Sequence, residues 1–105
     1  MKRVGFQFSI NKDRIEEYKE IHQNVWLEML TALREAGWHN YTLFMREDGV
    51  VFGYFESEDG LSTAQAKMAE KEINTRWQQF MAPFTENAGR PDESFIELEE
   101  YFHLD

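Results

Sequence analysis

"NYTLFMREDGVVFGYFE", residues 40–56, sets two apolar runs around a short polar turn. Both runs, 40–45 and 50–56, are rich in β-branched and aromatic side chains, and "EDG" between them carries the residues of a tight reversal. The stretch reads as two strands joined by a turn in the middle of the chain. The second strand is apolar on both sides, with Val51 and Phe55 opposite Phe52 and Tyr54. A sheet with one face in water should show a polar alternation there, and this one does not. Such a face marks an interface, so a homodimer that covers it is expected.

Working outward, Ile15, Tyr18, His22, Val25, Met29, Ala32 and Ala36 fall at steps of three and four, which predicts one helix over about 13–36. Asn11 or Asp13 would cap its start and Gly37 its end. Before it, "VGFQFSI" (4–10) alternates as a strand with Val4, Phe6, Phe8 and Ile10 on one face. After the central pair, residues 60–72 suggest a loose helix with a break or 3₁₀ turn inside it. A firmer stripe follows at Ile73, Trp77, Phe80 and Phe84, and Pro83 should end that helix. "TENAGRPDES" (85–94) reads as a loop, and "FIELEEYFHL" (95–104) as a closing strand with Ile96, Leu98, Phe102 and Leu104 on one side.

The order β-α-β-β-α-β predicts an α+β fold, the ferredoxin-like plait: a four-stranded antiparallel sheet with both helices on one face. Paired through the bare face, it would form a dimeric α/β barrel. At 105 residues the chain has the length of a single domain, 1–105. Eleven Lys and Arg against twenty Asp and Glu leave a net charge of −9, which repels phosphate backbones and anionic lipid. Neither nucleic acid nor membrane is an expected partner. The absence of cysteine excludes disulfides, thiolate catalysis and cysteine metal sites. With no apolar run long enough for a signal peptide or a membrane span, the cytoplasm is the expected location.

Chemistry concentrates where the two helical stripes converge. Tyr18 and His22 lie four apart, on one helical face, and that face turns toward the core. Trp77 on the second stripe points at the same sheet face, where Tyr41 could meet it. An imidazole, two phenols and an indole would then line a pocket between helices and sheet. Each has a plain packing reading: a lone His on a core stripe is usually structural, Trp77 fits a core position, and Tyr41 fits a strand. Together, aromatic rings with hydroxyl-bearing edges suit a sugar, whose C–H face stacks and whose hydroxyls exchange hydrogen bonds. Trp26, four residues beyond His22, reads as helix packing. His39 and His103 read as solvated or terminal, and three His at 22, 39 and 103 lack metal-ligand spacing. No phosphate loop or nucleophile elbow is present.

Several short segments carry a family resemblance in order and spacing over nearly the whole chain. "EEYKEIHQNVWLEM", "GWHNYTLF", "RWQQFM", "RPDES" and the ending "EEYFHLD" resemble the L-rhamnose mutarotases. Their motifs run E-Y-x-x-x-H-x-x-x-W-P-E, H/D-N/Y-Y, R-W-W, N-P-D-N-S-P and V-F-H/Y-x-P. The resemblance implies a dimeric ferredoxin-like fold and cofactor-free exchange of the α and β pyranose anomers of L-rhamnose. It implies His22 as proton donor, Tyr18 and Tyr41 as holders of substrate hydroxyls, and Trp77 packed on the sugar. Gln78 stands where the family's second Trp would contact substrate, Leu27 replaces the proline after Trp26, and Arg90 and Glu93 stand where Asn is common. These departures leave a related deoxyhexose open as substrate. Two other readings are a monooxygenase of the same dimeric fold, which would want a haem-contacting His on the second helix, and a non-catalytic sugar-binding module.

Overall fold

The central hairpin forms as its residues predict, in a computed structural model that describes residues 1–85 and 90–105. The part of the predicted loop at 86–89 lies outside the described residues. Strands β2 (His39–Met45) and β3 (Val50–Ser57) pair antiparallel, with Phe44 opposite Phe52 and Thr42 opposite Tyr54. The turn between them is held by Asp48, whose carboxylate accepts from the Val50 N–H and from Arg46. Gly49 takes φ +95°, which its missing Cβ permits.

β1 (Lys2–Ser9) pairs antiparallel with β3 along its whole length, and β4 (Ile96–Leu98) pairs antiparallel with the other edge of β1. The sheet order β2-β3-β1-β4 is that of the ferredoxin-like plait. Val4, Phe6 and Phe8 from β1, with Val51 and Phe55 from β3, form the inner face, and the helices close over it. Phe6 is fully buried and lies across Gly53, the residue opposite it in the sheet. Its ring stacks on Phe95 at 4.2 Å between centroids, so a glycine on β3 makes room for an aromatic layer beneath the helices.

The outer face is as apolar as the hairpin suggested. Its rows, Thr42–Tyr54–Gly5–Leu98 and Phe44–Phe52–Gln7–Ile96, run across all four strands. Phe44 and Ile96 are each about 60% exposed. No helix among the described residues is long and apolar enough to cross a membrane.

Three sequence expectations need correction. The helix expected over 13–36 is two helices, α1 (Ile15–Ile21) and α2 (Leu27–Glu35), split by a 3₁₀ turn at His22–Asn24 and an extended pair at Val25 and Trp26. His, Asn, Val and Trp are all weak helix formers, and here they fall together. The second region divides as expected, into α3 (Leu61–Ala69) and α4 (Glu72–Met81). On α4, however, the buried residues are Asn74, Trp77, Gln78 and Met81, while Phe80 is turned outward to stack on Trp26. The closing strand, expected over 95–104, ends at Leu98. Beyond it Tyr101, Phe102 and Leu104 are largely exposed, and Ile96 and Leu98 share the outer face rather than the core.

Candidate active site

The break after α1 places His22 at a helix end rather than mid-helix. Tyr18 is buried on the last turn of α1, and its ring lies against the imidazole at 4.3 Å between centroids. The Tyr18 carbonyl oxygen lies 2.9 Å from His22 Nδ1. A carbonyl only accepts, so Nδ1 carries the hydrogen and donates it. In the neutral ring the lone pair is then on Nε2. Burial lowers the His22 pKa below its usual value, partly offset by the bond to the Tyr18 carbonyl. At neutral pH the ring is therefore an uncharged base with a fixed tautomer.

Tyr41 reaches the same space through a distortion of β2. Between the His39–Glu56 and Thr42–Tyr54 pairs, two residues of β2 face one of β3. Asn40 takes the extra step at φ +52°, and its Nδ2 donates to the Glu56 carboxylate at 3.1 Å. Asn tolerates this left-handed conformation better than most residues. The bulge turns Tyr41 inward, against Trp38 at 4.9 Å. Burial raises the pKa of both Tyr18 and Tyr41, so both phenols stay protonated at neutral pH.

From the other side α4 contributes Trp77, edge-on to His22 at 5.6 Å and edge-on to Trp26 at 5.0 Å. Tyr18, His22, Tyr41, Trp77 and Gln78 thus line one cavity of about 360 Å³. That is at the small end of the range of roughly 300–1,000 Å³ usual for ligand pockets. His39 and His103 are elsewhere and exposed, His103 beside Asp105. Among the described residues no three His, Asp or Glu are grouped so that they could hold a metal ion.

The chain matches the L-rhamnose mutarotase family over residues 3–104. It is 37% identical to the L-rhamnose mutarotase of Oceanobacillus iheyensis and 38% identical to that of Bacillus subtilis, each alignment covering both chains completely. The chain belongs to the L-rhamnose mutarotase family. The fold agrees with the membership: the crystal structure of L-rhamnose mutarotase from Formosa agariphila covers the whole of both chains at a TM-score of 0.80, with 28% sequence identity. Membership makes the protein a sugar mutarotase, an isomerase-class enzyme.

Sequence reasoning missed part of the cavity wall of this family member. Trp38 is buried there, stacked on Phe55 at 4.0 Å with its Nε1–H donated to the Ala64 carbonyl. Asn74 and Asp92 also line the cavity. A signal for Asn74 and Gln78 existed: with Trp77 and Met81 they form an i, i+3, i+4, i+7 stripe. Two amides in such a stripe break the apolar pattern, as Tyr18 and His22 do on the first helix.

Proposed function

We propose that the protein, a single domain over 1–105 working as a homodimer, interconverts the α and β pyranose anomers of L-rhamnose or a close deoxyhexose, without a cofactor. One observation carries the reading: a partly buried imidazole of defined tautomer lines a sugar-sized cavity beside two neutral phenols and an indole. Met29, Leu33 and Leu43 add apolar wall, which suits the methyl group of a deoxysugar better than a sixth hydroxyl.

His22 is the proton carrier of this mechanism. Opening the ring moves one proton from the anomeric hydroxyl to the ring oxygen as the carbon–ring-oxygen bond breaks. Both oxygens sit on the same carbon, so one imidazole nitrogen can serve both. Nε2 takes the proton from the hydroxyl, and the imidazolium donates it to the departing ring oxygen. The open aldehyde turns about its bond to the next carbon, and the steps run in reverse to close on the opposite face. His22 is proton donor in both halves and ends neutral. The Tyr18 and Tyr41 phenols hold substrate hydroxyls, and Trp77 packs on the C–H face of the ring. Only one acid–base group is needed, and such a group contributes about 10²–10⁴-fold.

The second copy of the chain would cover the outer sheet face through Phe44, Phe52, Tyr54, Ile96 and Leu98, whose exposure supports that role. A cysteine-free chain suits the reducing cytoplasm, where we place it. Anomer-exchange NMR with L-rhamnose and a panel of deoxyhexoses tests the function. Exchange no faster than in buffer, for every sugar, would end the reading. Sedimentation at micromolar concentration tests the dimer, which a monomer would exclude.

A further inference from the structure

We propose that Asp92 is a substrate-binding residue of this site, a fixed carboxylate that accepts a hydrogen bond from one ring hydroxyl and sets which sugars are taken. The inference rests on the mutarotase reading above and adds a residue to it.

Asp92 lies in the 3₁₀ turn Pro91–Ser94, directly before Phe95, and lines the cavity that holds His22 and Tyr41. Its place is over-determined. The Asp92 N–H donates to Gln78 Oε1 at 3.2 Å, and its carbonyl accepts from Gln65 Nε2 at 2.6 Å. The carboxylate accepts from Arg90 twice, Nε to Oδ1 and Nη2 to Oδ2, both at 3.2 Å. Asn74 Nδ2 donates to Oδ2 at 3.3 Å, and Asn74 Oδ1 in turn accepts from Gln78 Nε2 at 3.1 Å. Two helices therefore hold one turn by both its backbone and its side chain.

This network says what Asp92 is suited for. A two-pronged guanidinium fixes the orientation of the carboxylate it pairs with. It is a good acceptor: among the described residues Oδ1 accepts only from Arg90 Nε, and a carboxylate oxygen has a second lone pair to offer. The Asp92 side chain is 17% exposed and lines the cavity while its position is fixed. Its charge is felt there, since it helps to raise the Tyr41 pKa, after the larger effect of burial. Tyr41 can donate to a sugar oxygen and Asp92 can accept from a sugar hydroxyl, which is the pairing a hydroxyl array needs.

The arrangement also recasts Gln78. Its amide oxygen is taken by Asp92 N–H and one amide hydrogen by Asn74, so it acts on the sugar by placing Asp92. An indole at this position has no acceptor to offer the Asp92 N–H.

A hydrogen bond from a substrate hydroxyl to a charged acceptor, present equally in ground and transition states, appears in KM rather than kcat. Its removal should raise KM roughly tenfold to a hundredfold. The test is anomer-exchange NMR over a range of sugar concentrations, using L-rhamnose and its 2-, 3- and 4-deoxy analogues, on wild-type protein and D92N. The expected result is a raised KM for D92N on L-rhamnose with kcat within about threefold, and the same loss for wild type on one of the three analogues. For that analogue D92N and wild type should coincide, because the deleted hydroxyl and the altered carboxylate are the two ends of one bond. Losses that add for all three analogues would assign Asp92 a purely structural role and overturn the proposal, as would an unmoved KM. If D92N does not fold by circular dichroism, D92E, which keeps the charge and shifts the oxygens by one bond, is read in the same way. Wild type that accelerates none of the sugars defeats the mutarotase reading itself, a different outcome from either.

Discussion

Replacing His22 by Ala separates the chemistry of the site from its packing. The backbone should tolerate the change, because the Tyr18 carbonyl also accepts the backbone N–H of residue 22 and stays paired when the imidazole is gone. What is lost is a half-buried ring between Tyr18 and Trp77, a truncation expected to cost about 0.5–3 kcal/mol of stability. The activity loss should be far more specific. Removing the proton carrier should lower kcat by about 10²–10⁴-fold, a barrier increase of roughly 2.7–5.4 kcal/mol. KM should change little, since the phenols and Trp77 remain. The pH dependence adds a second readout. His22 must be neutral to accept the first proton, and burial lowers its folded-state pKa, so the acid limb of kcat/KM should have its midpoint below 6.5. Stability carries the same sign. Below pH 6.5 the unfolded chain binds a proton at His22 that the folded chain resists, so this residue makes stability fall as pH drops through the window below 6.5. His22→Ala should remove its share of that slope. Anomer-exchange NMR gives the rates, and circular dichroism with thermal melting gives the fold. A folded variant that keeps its rate within threefold, or a wild-type acid limb above 6.5, would refute the assignment.

Three other outcomes follow from single contacts. Gly53→Ala would push a Cβ into three Phe6 ring carbons, Cζ nearest and Cε1 and Cε2 at 2.5 and 2.7 Å, on a ring already stacked on Phe95. The expected cost is about 1–3 kcal/mol, and Tm should drop roughly 4–8 °C for each of them, read by thermal melting. Asn40→Val places a β-branched residue at φ +52° and should unsettle the bulge that presents Tyr41, raising KM while Asn40→Gly leaves it nearly unchanged; equal KM values would dissociate the bulge from the site. Phe44→Glu puts a charge into the outer apolar face and should shift sedimentation toward monomer, with the helical signal kept.

The fold was legible because two apolar runs around a tight turn sit in the middle of the chain and an alternating strand opens it. The hairpin at 40–56, the alternation at 4–10 and two helical regions, one between them and one after the hairpin, leave few topologies open. What misled was continuity. The spacing of apolar residues from Ile15 to Ala36 is unbroken, yet the helix breaks after His22, because spacing records which face is buried and says nothing about whether the backbone hydrogen bonds run through. The resemblance carried the missing signal. The family's proline after Trp26 would fall on residue 27, which is the first residue of α2, where proline is favoured. Leu27 is exposed there and hides the boundary. Similarly, the closing strand alternates well past Leu98, but alternation needs a neighbouring strand to become sheet, and β1 pairs only as far as Leu98.

The parts of the site that escaped notice share a physical cause. Tyr18, His22 and Trp77 stand out because they are polar or bulky on stripes that should be plainly apolar. Asp92 and Arg90 lie in a turn, where polar residues are the default and carry no contrast. Asp92 joins the site through long-range bonds to Gln65, Asn74 and Gln78, side chains 14–27 residues away in sequence, and Arg90 through its pairing with Asp92. The visible clue was on α4, where two amides replaced apolar residues on the inward face. Buried amides need partners, and no partner for them lay within their own helix beyond each other. The remaining donors and acceptors had to come from a segment packed against α4, and the turn before β4 is the one that meets it. Read this way, a helix stripe that is half polar points beyond its own residues to the loop that completes the pocket.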